Sequence, residues 1–183
     1  LCLTAQENTP PENQGLLGGI GVMLGYGYFL NGEFEHAVRT LIDTIESGKI
    51  SGAINTTIGA YCVLARLYAI QGQLHKAFAV YQEAERVILD SDTEHRGAMS
   101  IVDVGLAEML YERNDLDSAL ARIEKGLDFV PVWSKVDDIA LAHAVHAKVL
   151  NALGRRTEAK EAIQQGIEAT QSYGSFAEAR DAV

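Results

Sequence analysis

Ala107-Glu108-Met109-Leu110-Tyr111-Glu112-Arg113-Asn114-Asp115-Leu116-Asp117-Ser118-Ala119 carries, in thirteen residues, the signals of two helices and the turn between them. From Val104 to Tyr111 the apolar residues recur at three and four, the spacing of a helix with one buried face and not of a strand. Asn114 then stands where the helix closes. After Gly, Asn adopts the left-handed backbone of a helix end at the least steric expense. Asp115 follows where a second helix needs an N-cap, and Leu116 can pack down beside the turn. The stretch therefore predicts helix, tight turn, helix.

The same punctuation recurs at Gly32, Gly72 and Gly154, giving spacings of 40, 42 and 40 residues with Asn114 included. That range belongs to repeats built from helix pairs. Five residues after each mark stands an alanine (Ala37, Ala77, Ala119, Ala159), and seven before it another small residue (Gly25, Ala65, Ala107, Ala147). Nine after sits a large one (Leu41, Tyr81, Ile123, Ile163), and twelve after a small one again (Thr44, Ala84, Gly126, Gly166). Small residues are needed where two helices approach within about 8–10 Å so that ridges enter grooves. Two residues after each mark, Phe34, Leu74 and Leu116 agree, and Arg156 departs.

The stretch Tyr61 to Tyr68 has the same helical period, and no strand is needed anywhere. Thr9-Pro10-Pro11-Glu12 and Ser175-Phe176-Ala177-Glu178 have the shape of a capping box, and Pro131 falls just past the third pair's second helix. The expectation is an all-α fold: a right-handed superhelical array of about four helix pairs, an α-solenoid curved around a groove. It forms a single repeat domain over residues 1–183, with repeats at about 10–50, 51–91, 92–132 and 133–173, and 174–183 starting a further helix. The missing initial Met and that short last segment read as a fragment of a longer chain.

Composition excludes several classes. A chain of 183 residues that is 48% hydrophobic can bury a sizeable core. Its formal charge of −10 repels phosphate backbones, so no direct nucleic-acid binding is expected. Two cysteines, Cys2 and Cys62, make no disulfide framework and fit a reducing cytoplasm. No apolar run approaches the roughly 20 residues that span a bilayer, and no basic flank marks a signal peptide, so no membrane association is expected.

The pattern of small, Tyr or Leu, Gly, Ala, large and small resembles the tetratricopeptide motif, with repeats of about 40 residues in place of 34. The block Glu112-Arg113-Asn114-Asp115-Leu116 with Ala119 and Gly126-Leu127 resembles the helical-repeat region of large LuxR-family transcriptional activators of the MalT type, over about Leu16 to Ser172. In that family a nucleotide-binding module precedes the repeats and a helix-turn-helix domain follows them. The resemblance implies an effector-sensing or protein-interaction domain that binds a small-molecule effector or a protein or peptide partner, with DNA contacted through a separate domain. A generic tetratricopeptide-like adaptor that grips a peptide or forms a homo-oligomer is the alternative.

Catalytic chemistry is not visible, and no enzyme activity or cofactor is expected. A P-loop is absent. The run from Gly19 to Gly25 lacks a preceding strand and the spacing of a dinucleotide loop, so helix packing accounts for its glycines. His143 and His146 share a helical face, yet no Cys or correctly spaced carboxylate completes a metal ligand set. His143 occupies the same repeat column as Asp103, which suggests a hydrogen-bonded pair across adjacent helices. Neither Cys62 nor any serine has a recognisable base and orienting acid. Helix pairs with glycine turns also resemble helix-turn-helix units, but the stretch from Asp117 to Asp128 offsets Arg122 and Lys125 with Glu124 and Asp128, unlike a groove-reading face.

In tetratricopeptide-like arrays the first helix of each pair lines the concave surface. Six residues before each mark stand Tyr26, Arg66, Glu108 and Lys148, and three before stand Phe29, Ala69, Tyr111 and Asn151. The candidate ligand-binding residues are therefore Tyr26, Phe29, Arg66, Glu108, Tyr111, Lys148 and Asn151, a mixture of aromatic faces and polar tips suited to a peptide or small polar ligand. Arg66, Glu108 and Lys148 alternate in sign and can also be read as an inter-repeat ion-pair ladder, where exposed pairs contribute about 0–1 kcal/mol each.

Overall fold

The computed structural model describes residues 4, 8–10, 13–91, 97–128 and 136–181, with side chains from 138 to 172 in the last stretch. Its main helices are α1 (Gln14–Leu30), α2 (Phe34–Ser51), α3 (Ile54–Ile70), α4 (Leu74–Leu89), α5 (Met99–Glu112), α6 (Leu116–Leu127), α7 (Val136–Ala152) and α8 (Arg156–Asp181). No strand occurs among the described residues, and the fold is the all-α helical-repeat class expected from the sequence. The chain divides into two compact units, Leu1–Ala98 and Met99–Val183.

All four punctuation marks close a helix in the same way. Gly32, Gly72, Asn114 and Gly154 have φ of 78°, 74°, 59° and 78°, and Asn114 is the one non-glycine with positive φ among the described residues. The residue after each mark donates its N–H back to the carbonyl five residues earlier: Glu33 to Tyr28, Gln73 to Tyr68, Asp115 to Leu110 and Arg155 to Leu150, at 2.8–3.0 Å. Orphan carbonyls at the helix end are thereby satisfied, and the chain is turned straight into the next helix. Asp115 also caps α6, its side chain accepting from the Ser118 N–H at 3.4 Å.

Within the first unit, α1 pairs with α2 and α3 with α4, and α3 lies against both helices of the preceding pair. Within the second, α5 pairs with α6 and α7 with α8, and α7 in turn contacts α5 and α6. Each unit thus buries the apolar face of one pair under the first helix of the next, the logic of a stacked repeat. The small-residue columns form these contacts: Ala37, Ala65, Ala77, Ala107 and Ala119 are 0% exposed. Leu41, Tyr81 and Ile123 are buried beside them, whereas Ile163 in the same column is 51% exposed, with no further described helix over it in its unit. Gly25 supports the packing account of its glycine-rich run, since a Cβ there would lie 2.6 Å from Leu41 Cγ in the core. Cys62 is a buried thiol.

Two start signals are corrected. Helix α1 begins at Gln14, where Asn13 accepts from the Leu16 N–H at 3.3 Å; part of the Thr9-to-Glu12 box lies outside the described residues, as do Cys2 and Pro131. Ser175 opens no new helix, because α8 runs unbroken from Arg156 to Asp181. A capping box starts a helix only where the chain has first left one, and nothing between Ser172 and Ser175 breaks the backbone ladder.

Candidate functional site

The first-helix columns are distributed over both units. In the first, Tyr26 on α1 is 44% exposed, and its ring lies 6.0 Å from that of half-buried Phe29. Phe29 continues to Phe34 at the start of α2, 6.1 Å away, so three aromatic rings line the end of the first hairpin. Such tilted contacts are the geometry that ring quadrupoles favour. Arg66 projects from α3 into solvent.

In the second unit the structure brings Glu108 and Lys148 together, with Lys148 Nζ 3.8 Å from Glu108 Oε1. This is one rung of the ladder read from the alternating signs. Tyr111 is half-buried and packs against the core formed by Val104, Ala107, Ile123 and Val145, so its ring serves packing as well as presenting an edge. Asn151 is exposed one turn further along α7.

The expected Asp103–His143 pair is replaced by a different arrangement. Asp103 is 1% exposed on α5, and both its oxygens turn to α6: Oδ1 accepts from Arg122 Nη1 at 2.6 Å, and Oδ2 lies 3.2 Å from Lys125 Nζ. A buried carboxylate requires a paired charge and a hydrogen bond, and the partner helix of its own pair supplies both at closer range than α7. Arg122 and Lys125 are three apart and so share one face of α6, but the spacing does not show that this face meets Asp103.

His143 instead packs on α8, where a Cβ at Gly166 would come within 2.7 Å of its own Cβ, and it makes a backbone hydrogen bond with Ala162. Burial pushes the imidazole of His143 below its ordinary pKa, with that backbone bond opposing. His146 is lowered too, first by burial, against an opposing pull from Glu124. The Nδ1 atoms of both rings are buried with no protein partner. Among the described residues no three His, Cys, Asp or Glu side chains cluster in a way that could hold a metal ion. No described helix is long and apolar enough to cross a membrane.

A surface feature absent from the sequence reading lies in the first unit, a groove of about 580 Å³ between α2 and the α3–α4 turn. Its floor is the row Phe34, Val38 and Ile42, and its rim carries Arg39 and Lys76. The fourfold spacing of that row beside the core row Ala37, Leu41 and Ile45 was the available signal.

These features define a helical-repeat interaction domain. The chain belongs to the MalT-like TPR region family, whose model matches residues 2–182. No curated protein matches the sequence. Among solved structures, BtubC (BKLC) from P. vanneervenii is similar with a TM-score of 0.68 at 17% identity, over 94% of this chain and 70% of that one. The nearly identical TPR-like repeats of a Podosopora anserina protein named after kinesin light chain give a TM-score of 0.56 at 17% identity, over 94% of this chain and 83% of that one. At such identity the likeness is one of fold.

Proposed function

We propose that this chain is the effector-sensing or protein-interaction domain of a cytoplasmic LuxR-family regulator of the MalT type. The observation that carries this reading is the family match over nearly the whole chain, on repeats whose caps and small-residue columns hold in all four pairs. A small-molecule effector or peptide would bind along the first helices; the candidate contacts within the first unit are Tyr26, Phe29 and Arg66, and those within the second, taken by themselves, are Glu108, Tyr111, Lys148 and Asn151. DNA would be contacted by a separate domain of the parent chain, since a formal charge of −10 opposes contact through this one. Binding would act by favouring one arrangement of the repeats over another, and a ligand shifts such an equilibrium only by its differential affinity for the two. This reading assigns the chain no catalytic role and requires no cofactor.

The second reading, an adaptor that grips a peptide or self-associates, is favoured by the TPR-like neighbours and by exposed apolar side chains such as Leu30 and Ile70 at the helix ends. Calorimetric titration against sugars, metabolites and short peptides separates the two. Saturable binding of a small molecule that weakens tenfold or more in Arg66→Ala or Lys148→Ala is the result expected of a sensor. Silence across the small molecules, with concentration-dependent self-association or with peptide binding indifferent to both substitutions, would sink it in favour of the adaptor.

A further inference from the structure

The groove in the first unit is not part of the first-helix columns, and its construction selects an occupant. Helix α2 buries Ala37, Leu41, Thr44, Ile45 and Gly48 against its neighbours, and one row further round the helix come Phe34, Val38 and Ile42. Phe34 and Ile42 are each 38% exposed, so this second row is an apolar strip left partly uncovered. Beyond it stand Tyr68 near the end of α3 and Gln73 at the N-cap of α4.

Two cations border this floor. The Lys76 ammonium is held 5.4 Å over the Tyr68 ring, and no carboxylate of the described residues forms an ion pair with either Lys76 or Arg39. Glu35 is the single acidic residue of the lining. With Arg39 and Lys76 against Glu35, the lining carries a formal charge of +1 beside an apolar strip, in a chain of formal charge −10. The Gln73 amide donates through Nε2 to Gln71 Oε1 at 3.1 Å, which leaves Gln73 Oε1 buried and without a protein donor.

We propose that this groove docks a short acidic peptide segment of a partner protein, its apolar side chain seated on Phe34, Val38 and Ile42 and its carboxylates at Arg39 and Lys76. The dimensions favour a peptide over a small molecule. Phe34 to Ile42 spans about 12 Å of helix, the length of about four residues of extended chain. Phe34, Arg39, Gln71 and Lys76 are all exposed, whereas a small ligand gains affinity by burying most of its surface in an enclosed site. A nucleic acid would meet only these two cations on an otherwise repelling surface. The proposal is independent of the regulator reading and of the Arg66 and Lys148 columns.

Fluorescence anisotropy with two labelled pentapeptides, Glu-Leu-Glu-Phe-Glu and Lys-Leu-Lys-Phe-Lys, tests it on the 183-residue chain. The acidic peptide is expected to bind saturably and the basic one not. Double charge reversal, Arg39→Glu with Lys76→Glu, should weaken the acidic peptide at least tenfold, and Ile42→Ser several-fold, while circular dichroism stays unchanged because these side chains lie at the surface. Arg66→Glu should leave this binding as it is. Absence of saturable binding by the acidic peptide, equal binding of both peptides, or indifference to the charge reversal would each overturn the proposal.

Discussion

One repeat position, eleven residues before the turn mark, is filled in opposite ways by the two units. In the first unit it holds Gly21 and Tyr61; in the second it holds Asp103 and His143. The position twelve after the mark faces it across the hairpin. Gly21 leaves room for Thr44, and Gly166 for the His143 ring; at Gly126 an added Cβ would meet that of Asp103 at 3.4 Å. Tyr61 is 6% exposed and lies under the Lys49 ammonium, 5.3 Å from its ring. The template tolerates a void, a phenol, a carboxylate or an imidazole there because the opposing residue changes size to suit, and interiors must be filled at crystal-like density whatever fills them. The consequence is energetic: the first unit meets this position with neutral groups, and the second with ionisable ones, a carboxylate matched by two cations and an imidazole whose charged form burial disfavours.

Asp103→Ala should break that contrast most strongly. Removing the carboxylate leaves Arg122 and Lys125 without their buried partner, but their side chains are 31% and 56% exposed and can relax toward water. The expected loss is about 2–3 kcal/mol, at the lower edge of what breaking a buried pair costs. Denaturant unfolding measures it, and a loss under about 0.5 kcal/mol would mean that the triad is a surface feature in energetic terms.

Acidification should act on the same unit. His143 and His146 have folded pKa values below the ordinary 6.5, so the unfolded chain binds protons first as pH falls. Their contribution is present above about pH 6.5 and is lost as pH drops from there through the depressed folded values. Hydrogen exchange of α7 and α8 amides at pH 7.5 and 5.5 should show protection falling at the lower pH, and His143→Phe with His146→Leu should flatten that change if the variant folds. An unchanged profile in the intact protein would remove the imidazoles from the comparison.

The smallest effect is expected at the ladder. Lys148→Ala removes an ion pair at 3.8 Å whose lysine is 52% exposed, and stability should change by less than about 1 kcal/mol. A larger change would show that the rung is structural, and its residues would then be poorer candidates for ligand contact.

The repeat was legible from residue types and spacing alone. Gly32, Gly72, Asn114 and Gly154 could be recognised as helix ends because left-handed backbone is a local demand that few residue types meet. The alanine and glycine columns were legible for a similar reason: close helix approach requires small side chains wherever the partner lies. The candidate columns at Tyr26, Arg66, Glu108 and Lys148 followed from that register, and Glu108 and Lys148 do meet. Pairing of buried charge was not legible. Asp103 had a like-numbered neighbour in His143 by repeat register, but a carboxylate takes the nearest cations that can also donate hydrogen bonds, and only the packing of α5 on α6 puts Arg122 and Lys125 within reach. The groove at Phe34, Val38 and Ile42 is likewise a tertiary product. Whether an apolar row is core or surface depends on which helix covers it, and that is decided by where the α3–α4 turn comes to rest beside α2.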